Sequence, residues 1–204
     1  MIVIVNYGLG NLRSIQKSCN LISSKIIVSS NPQDIDNADK IILPGVGFFK
    51  KAMENLKSKR LLEVLNYNVL KKKKPVLGIC LGMQIMSDFS EEGSVNGLGW
   101  ISGKTRLLNV EARIPQVGWN SVSICKNNLL ISKQDLSNYR NEFYFVHSYH
   151  VELIDTNDGL FETKYSDKIF YSGFCKENIF GVQFHPEKSY DIGTTLISNF
   201  INHV

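Results

Sequence analysis

The sequence predicts an α/β fold with a mostly parallel central sheet, helices on both of its faces and an added antiparallel β portion. Two observations carry this prediction. In the first half of the chain, short apolar runs typical of buried parallel strands alternate with apolar residues at helical spacing. The second half contains short strand-like segments separated by turn residues. The 204 residues contain no repeat or linker, so we expect one domain over residues 1–204.

The first half is predicted to alternate strands with helices. Strands are expected at residues 2–5, 25–28, 41–43 and 75–79, and helices at 12–22, 48–59, 61–72 and from 83 to an acidic turn at 91–93. Asn31-Pro32 indicates a turn between the second and third strands. The Gly8-Leu9-Gly10 turn lacks the third glycine of a dinucleotide-binding loop, so it is only weak evidence for a nucleotide site.

The second half is predicted to be rich in short strands. We expect strands at residues 104–110, 116–125, 142–146, 150–154, 159–165, 169–175 and 179–184, and a closing helix at 194–201. Asn157-Asp158-Gly159 is a typical hairpin-turn sequence. The last strand is mostly apolar, so it should return to the buried sheet.

Composition argues against several classes of function. Hydrophobic residues are 43% and charged residues 21%, as in ordinary globular proteins. The net charge of +4 is matched by the run from Lys71 to Lys74, which is typical of a solvated helix end, so we expect no nucleic-acid partner. No apolar run is long enough to span a membrane, and the first strand is too short for a secretion signal.

The four cysteines show no metal-binding spacing. They are Cys19, Cys80, Cys125 and Cys175. We therefore expect neither a metal nor another cofactor. A reducing, cytoplasmic location is expected, and there a reactive thiol would persist.

Cys80 is the strongest candidate for a nucleophile. It lies between two glycines in the frame Gly78-Ile79-Cys80-Leu81-Gly82, directly after an apolar strand and before a helical pattern. Small residues two positions before and after a nucleophile allow the sharp strand-to-helix turn called a nucleophile elbow. The helix N-terminus would also favour the thiolate. The alternative is an inert cysteine buried in a core strand.

A candidate base lies about a hundred residues further along the chain. His185 ends an apolar strand and is followed by Pro186 and Glu187. In a thiol-nucleophile site a histidine accepts the proton and a carboxylate orients the imidazole. Taken alone, His185 would be a structural histidine at a strand end. However, Pro44-Gly45, Cys80 and His185 all follow predicted strands, and ligands gather at the carboxyl ends of such strands.

These motifs resemble those of class I (triad-type) glutamine amidotransferases. The resemblance rests on GICLGMQ at residues 78–84 and QFHPEKS at residues 183–189. Within that group the chain is similar to the glutaminase subunits of imidazole glycerol phosphate synthases, through PGVG at 44–47, VGWN at 117–120 and YFVHSY at 144–149. The resemblance covers nearly the whole chain. It implies a flavodoxin-like three-layer sandwich and the hydrolysis of glutamine to glutamate.

The resemblance also implies roles for individual residues. The catalytic triad would be Cys80, His185 and Glu187. Oxyanion donors would come from Val46, Gly47 and Leu81, with a peptide flip in the 44–47 loop. Glutamine would be bound by Gly45, Gln84, Glu92, His147, Ser148 and Tyr149, although for His147 a structural role is slightly favoured.

A docked partner is implied as well. The family passes ammonia to a (β/α)8-barrel cyclase in histidine biosynthesis, and the positions expected at that heterodimer interface are Asn11, Trp119, Tyr144 and Lys188. Core packing remains an alternative for Trp119. One position departs from the family: Gln116 stands where family members commonly have His, close to the expected partner face.

Three rival functions stay open. The first is a divergent glutaminase subunit that feeds ammonia to a sugar amidination pathway. Gln116 supports this alternative, because it departs from the family close to the expected partner face. The second is a cysteine peptidase or deglycase on the same architecture, which would need no partner and no Glu92. The third is a catalytically silent regulatory module, against which the intact Cys-His-Glu set argues.

Overall fold

The structure is a computed structural model that describes residues 1–23 and 25–204. Its helices are α1 (Leu12–Asn20), α2 (Pro32–Asn37), α3 (Phe49–Ser58), α4 (Leu62–Asn66, continued by a π-helical turn at Tyr67–Lys71), α5 (Leu81–Gln84), α6 (Lys133–Asn138) and α7 (Tyr190–His203). Short 3-10 turns cover Thr156–Asp158 and Pro186–Lys188.

In the described part of the chain the strands form three sheets. They are β1 (Ile2–Val5), β2 (Ile26–Ser29), β3 (Lys40–Leu43), β4 (Val76–Ile79), β5 (Ser87–Ser90), β6 (Val95–Asn96), β7 (Ile101–Leu107), β8 (Gln116–Ser121), β9 (Ser123–Ile124), β10 (Glu142–His147), β11 (Tyr149–Leu153), β12 (Gly159–Tyr165), β13 (Lys168–Lys176) and β14 (Ile179–Val182). The central sheet has the order β2-β1-β3-β4-β14-β13-β12-β9. Its strands are parallel from β2 to β14 and antiparallel beyond β14. The predicted fold class is confirmed.

The middle of the central sheet positions the site. Strand β4 lies between β3 and β14 and is parallel to both, with Leu43 opposite Gly78 and Val182 opposite Ile79. The carboxyl ends of these three strands therefore meet. The segments that follow them begin with Pro44, Cys80 and Gln183, so they emerge side by side at one edge of the sheet.

Helices cover the central sheet on both faces. In β1, Ile2 and Ile4 pack in the cluster that holds the buried side of α1 and α7, whereas Val3 and Val5 pack in the cluster that holds α2, α3 and α4. Successive side chains of a strand point to opposite faces, so this all-apolar strand is buried on both. Its four residues are all buried.

Two smaller sheets complete the fold and close over the elbow. The four-stranded sheet has the order β11-β7-β5-β6, and β8 pairs with β10 in an antiparallel ladder. Strand β10 ends at His147 and β11 begins at Tyr149, so the two sheets meet at Ser148. This meeting point lies on the wall of the cavity that contains Cys80.

Several local predictions were wrong. Asn31-Pro32 does not form an isolated turn: Asn31 caps α2 by accepting a hydrogen bond from the Gln33 N–H at 3.0 Å, and Pro32 occupies the first helical position, where its missing N–H costs nothing. The helix after Cys80 ends at Gln84 instead of continuing to the acidic turn, and β5 follows it.

Two further differences lie in the second half. Asn157-Asp158-Gly159 does not join a hairpin, because β11 before it and β12 after it belong to different sheets. Helix α6 was not predicted either, although the sequence contains its capping box: the Ser132 hydroxyl accepts from the Asp135 N–H, and the Asp135 carboxylate accepts from the Ser132 N–H. Within residues 1–23 and 25–204, no helix is both long and apolar enough to cross a membrane.

Candidate active site

Cys80 occupies a strained turn between β4 and α5. Its backbone has φ 52° and ψ −110°, a conformation that residues with a side chain rarely adopt. Such a conformation typically costs about 1–3 kcal/mol and persists only where the surroundings impose it. The side chain is 5% exposed. This is the geometry of a nucleophile elbow, as the glycine-flanked cysteine predicted.

The flanking glycines are required by close backbone contacts. A Cβ added to Gly82 would lie 1.9 Å from the Leu43 carbonyl oxygen, and one added to Gly78 would lie 2.7 Å from the Gly82 carbonyl oxygen. Gly45, in the loop after β3, approaches the elbow equally closely, because its Cβ would lie 2.5 Å from the Gly82 nitrogen. The loop at 44–47 and the elbow therefore pack backbone against backbone.

His185 and Glu187 form a buried pair beside the elbow. The His185 Nδ1 lies 2.9 Å from Glu187 Oε1, and both side chains are 1% exposed. With Nδ1 donating to the carboxylate, Nε2 is the ring atom left for proton exchange, and it has no hydrogen-bond partner among the described residues. The backbone is fixed as well: the His185 N–H donates to the Tyr144 carbonyl at 2.8 Å and its carbonyl accepts from the Ser189 hydroxyl at 2.6 Å.

The surroundings of His185 favour its protonated form. Burial alone lowers the pKa of this imidazole, but the interactions with Cys80 and Glu187 outweigh burial and raise the pKa. The Cys80 sulfur is thus close enough to affect the proton affinity of the ring, even though it makes no well-aligned hydrogen bond to Nε2. A thiolate and an imidazolium stabilise each other in this arrangement.

A cavity of about 250 Å³ opens in front of Cys80. Its lining contains most of the residues predicted to bind substrate or an oxyanion: Val46, Gly47, Leu81, Gln84, Glu92, His147, Ser148 and Tyr149. Gly45 lies behind this wall, against the elbow. Pro115 and Val146 also line the cavity, and neither was predicted.

The candidate oxyanion donors lie on two sides of the cavity. Leu81 is the first residue of α5, so its N–H has no partner within the helix. Gly47 has φ +119° and Val46 is 37% exposed, so this part of the loop is little restrained by packing. The start of the loop is held, because the buried Tyr7 hydroxyl donates to the Pro44 carbonyl.

Glu92 has a structural contact at the other end of the same loop. Its Oε2 accepts a hydrogen bond from the Phe49 N–H at 2.7 Å, at the start of α3. The side chain is half-buried and lines the cavity, so it is not merely a solvated neighbour of Glu91. Segment 44–49 is therefore tied at both ends and passes the cavity between them.

A chain of buried amides connects the cavity wall to Cys80. The Gln84 Nε2 donates to the Tyr149 carbonyl at 2.8 Å and to Gln183 Oε1 at 3.1 Å. The Gln183 Nε2 in turn lies 3.6 Å from the Cys80 sulfur. Gln183 was not singled out in the sequence as a site residue. Gln183 and Phe184 are consecutive residues of the extended segment after β14, so their side chains point to opposite sides of the backbone. This alternation could have indicated that Gln183 points away from the core side chain of Phe184.

His147 is part of the cavity wall and interacts with Gln116. Its Nδ1 donates to the Tyr149 carbonyl at 2.8 Å, and Nε2 lies 3.1 Å from the atom placed as Gln116 Oε1. Burial lowers the pKa of His147 to about 3, so the ring is neutral and Nε2 is an acceptor. The Gln116 amide satisfies this acceptor when its NH2 group faces the ring, which also gives a partner to an otherwise unpaired Gln116 Nε2.

Comparison with known proteins identifies the family. The model of the glutamine amidotransferase class-I family matches residues 3–204. This chain belongs to that family.

Individual relatives are similar over nearly their full lengths. A protein named imidazole glycerol phosphate synthase subunit HisH 2 in Methanococcus maripaludis is 46% identical over 98% of each chain. Proteins named subunit HisH 2 in Pseudomonas aeruginosa and subunit HisH in Methanocaldococcus jannaschii are 40% identical over 100% and 45% identical over 98% of each chain.

Solved structures agree on the fold of this amidotransferase. A crystal structure described as glutamine amidotransferase matches with a TM-score of 0.75 at 14% identity, covering 98% of this chain and 97% of that one. The structure of PurLQS from Thermotoga maritima matches with a TM-score of 0.69 at 18% identity and the same coverage. At these identities the likeness concerns the fold alone.

Three of the four predicted partner-interface residues of the amidotransferase form one cluster. The Lys188 Nζ lies 5.3 Å from the Tyr144 ring centroid, and the Tyr144 and Trp119 ring centroids are 5.9 Å apart. Trp119 is 42% exposed and stacks on Tyr190 at 4.8 Å, which does not fit the alternative of core packing. Asn11 instead caps α1, its side chain accepting from the Ser14 N–H at 3.3 Å.

Gln116 is 2% exposed, so its side chain lies inside the protein, whereas the next residue, Val117, is exposed. Across the described part of the chain, no group of three or more His, Cys, Asp or Glu side chains is arranged to hold a metal ion.

Proposed function

We propose that the chain is the glutaminase subunit of an imidazole glycerol phosphate synthase. It hydrolyses glutamine to glutamate and passes ammonia to a (β/α)8-barrel cyclase partner in histidine biosynthesis, and one domain over residues 1–204 carries the activity. The observation that carries the proposal is the position of Cys80, on a strained elbow that joins the buried His185–Glu187 pair to the cavity. The full-length similarity to proteins named HisH supports it.

Cys80, His185 and Glu187 act as the catalytic triad. The Cys80 proton passes to His185 Nε2, and the thiolate attacks the carboxamide carbon of glutamine. His185 then gives its proton to the amide nitrogen, the C–N bond breaks, and ammonia leaves a thioester. A water molecule, deprotonated by His185, attacks the thioester, and the carbon–sulfur bond breaks to give glutamate. Glu187 keeps the imidazole in the required orientation throughout.

The negative oxygen of each tetrahedral intermediate needs N–H donors. Leu81 supplies one at the N-terminus of α5, and the loop at Val46 and Gly47 supplies another. The positive φ of Gly47 and the close packing of Gly45 on the elbow support the placement of this loop. Removing one such donor typically lowers the rate by about 10²–10³.

Glutamine is bound by the walls of the same cavity. Glu92 pairs with the substrate ammonium group, while Ser148 and Tyr149 bracket its main-chain end and Gly45 supports the wall from behind. Gln84 lies beside the substrate. His147 positions the wall, because its neutral ring holds the Tyr149 carbonyl that Gln84 also contacts.

The partner docks over the cluster of Trp119, Tyr144 and Lys188, with Asn11 at the edge. Free ammonia becomes ammonium in water at neutral pH and loses its nucleophilicity, so a glutaminase of this kind needs its acceptor enzyme at the exit. Partly exposed aromatic residues with a nearby cation are typical of interface hot spots. Tyr190 extends this cluster through its stack with Trp119.

One observation favours a second candidate. Gln116 replaces the histidine that family members commonly have, and it touches His147 beneath the glutamine site. A divergent subunit that feeds a sugar amidination pathway would carry the same triad and differ in its partner. The barrel protein that copurifies with the chain, and the acceptor that becomes aminated, distinguish the two.

The test of the triad is Cys80→Ala in the complex with the cognate barrel protein. Glutamine hydrolysis should be lost, because the thiol that forms the thioester is removed, while synthesis from high concentrations of ammonium should continue. The matched control is Cys125→Ser, an exposed cysteine that should leave turnover unchanged. A Cys80→Ala protein that hydrolyses glutamine at the wild-type rate would refute the proposed chemistry.

A further inference from the structure

Gln183 is a buried polar side chain that the proposed mechanism does not use. It is 0% exposed, and its Nε2 lies 3.6 Å from the Cys80 sulfur, a normal distance for an N–H···S hydrogen bond. Burying an amide is unfavourable unless its groups are paired. A specific function at the sulfur would explain why an amide occupies this place.

The direction of the hydrogen bonds can be deduced from the far end of the chain of amides. The Tyr149 carbonyl only accepts, so Gln84 must turn its NH2 group toward it. The second N–H of that group faces Gln183, which must therefore present its oxygen. The NH2 group of Gln183 is then left facing Cys80. The sulfur is thus forced into the role of acceptor.

An acceptor sulfur favours the thiolate. A thiol is a weak acceptor, whereas hydrogen bonds to a charged group are about twice as strong as neutral ones. Among the residues that the structure describes, the only other hydrogen bond of the sulfur is to the Val146 carbonyl; it requires the protonated thiol and is long, at 3.9 Å. The two contacts therefore compete, and the shorter one stabilises the ionised form.

We propose that Gln183 donates a hydrogen bond to the Cys80 thiolate, orients the sulfur toward the cavity and stabilises it for attack. Gln84 and Tyr149 fix the direction of this donor. The inference rests on the proposed function, in which Cys80 is the nucleophile. It adds a hydrogen-bond donor on the sulfur that is separate from His185 and from the oxyanion donors.

The experiment measures the ionisation of Cys80 without relying on turnover. The rate of alkylation of Cys80 by iodoacetamide is followed by peptide mass spectrometry from pH 5 to 10 in the intact chain. In Gln183→Met, which keeps the side-chain length but removes the donor, the apparent pKa of Cys80 should rise by about one, a tenfold loss of thiolate below that pKa. Gln183→Glu places an acceptor against the sulfur, so in this variant the apparent pKa of Cys80 should rise further than in Gln183→Met.

Ser172→Ala is the matched control. Ser172 is fully buried, accepts the Gln183 backbone N–H at 2.9 Å through its own carbonyl, and makes no hydrogen bond to Cys80. Its side-chain hydroxyl accepts from Thr163, so the substitution disturbs the same region without touching the donor. The Cys80 titration of this variant should match the wild type.

The outcomes separate this inference from the proposed function. A folded Gln183→Met chain in which Cys80 titrates as in the wild type would overturn the inference and leave the triad intact. If neither Gln183 variant folds, the unaltered chain decides: the side-chain amide resonance of Gln183 should shift with the same pKa as Cys80 alkylation. An amide signal that is constant through that titration would equally overturn it. If instead the proposed function is wrong, the Cys80→Ala protein will still hydrolyse glutamine.

Discussion

At the scale of single residues, burial sets the charge of two histidines. Burial lowers the pKa of His147 to about 3, and the pKa of His150 to about 4 with a further contribution from Lys168, whose Nζ lies 3.1 Å from the His150 Nε2. His185 is equally buried, yet its pKa is raised, because Cys80 and Glu187 lie against it. The proton affinity of each ring follows from its neighbours.

The first prediction concerns pH and stability. A histidine whose folded pKa lies below its unfolded value of about 6.5 must gain a proton on unfolding at lower pH, so its stabilisation is complete above pH 6.5 and is lost as the pH falls toward the folded pKa. A fall in pH from 7 to 5 should therefore lower the unfolding free energy by about 2 kcal/mol through the protonation of His150 in the unfolded state. The pKa of His185 is raised in the folded state, so its contribution has the opposite sign: its stabilisation is complete below pH 6.5 and weakens as the pH rises.

Urea unfolding of the chain at pH 7 and pH 5 measures this effect. In His150→Gln the loss of unfolding free energy over that interval should be smaller than in the wild type by about 2 kcal/mol. His203→Gln, at an exposed position, should retain the wild-type dependence. An unchanged loss in His150→Gln would show that His150 is not kept neutral by the fold.

The role of a single residue could be predicted where a short sequence motif determines it. Cys80, His185 and Glu187 stand in short motifs, and the structure places all three together at one site. Gln183 stands in the same motif as His185, but the motif did not assign its contact with Cys80, and no motif assigned the contact of Gln116 with His147. Their contacts depend on the register of β14 beside β4 and of β8 beside β10, which no short pattern specifies.

At the scale of elements, the elbow depends on the close approach of β3, β4 and α5. The Leu43 carbonyl at the end of β3 leaves no room for a side chain on Gly82. The sequence predicted this turn correctly from its glycines, but it overestimated the length of the following helix. Met83, Ile85 and Met86 are all fully buried apolar residues, so their pattern could not distinguish a long helix from one turn leading into a strand.

The second prediction tests this packing. Gly82→Ala should destabilise the chain by roughly 3 kcal/mol, the upper range for overpacking, because the obstructing atom belongs to the backbone and cannot rotate away. Urea unfolding at neutral pH measures it. Gly118→Ala is the control: its φ is +126°, but its Cβ would meet nothing within 4 Å, so only backbone strain of about 1 kcal/mol is expected. Equal losses would mean that steric contact does not hold the elbow.

At the scale of the whole molecule, strand β10 connects the cavity at Cys80 with the cluster of Trp119, Tyr144 and Lys188. Strand β10 carries Tyr144 in the cluster and ends at His147 in the cavity wall. The His185 N–H donates to the Tyr144 carbonyl, so the triad and the cluster share a backbone hydrogen bond. Such long-range connections could not be derived from the sequence, because they arise from how the smaller sheets close over the central one.

The last prediction is that the isolated chain is a poor glutaminase and that its partner activates it. Segment 44–49 is held at one end by the Tyr7 hydroxyl and at the other by Glu92, while Val46 and Gly47 between them are exposed to the cavity. A peptide in this middle part can rotate without disturbing either end. An oxyanion donor held out of place until docking would prevent wasteful hydrolysis. Restoring one donor supplies about 10²–10³ in rate, so activation should be on the order of 10²-fold or more.

The measurement is steady-state glutamine hydrolysis by the chain alone, then with its cognate barrel protein and acceptor ligand. The complex made with Cys80→Ala serves as the background control, because any residual hydrolysis there does not come from this site. Activation should appear mainly in kcat, since a donor used only by the tetrahedral intermediate does not strengthen substrate binding. Equal turnover with and without the partner would mean that the loop already presents its donor, and a stand-alone hydrolase would then explain the site better than a gated subunit.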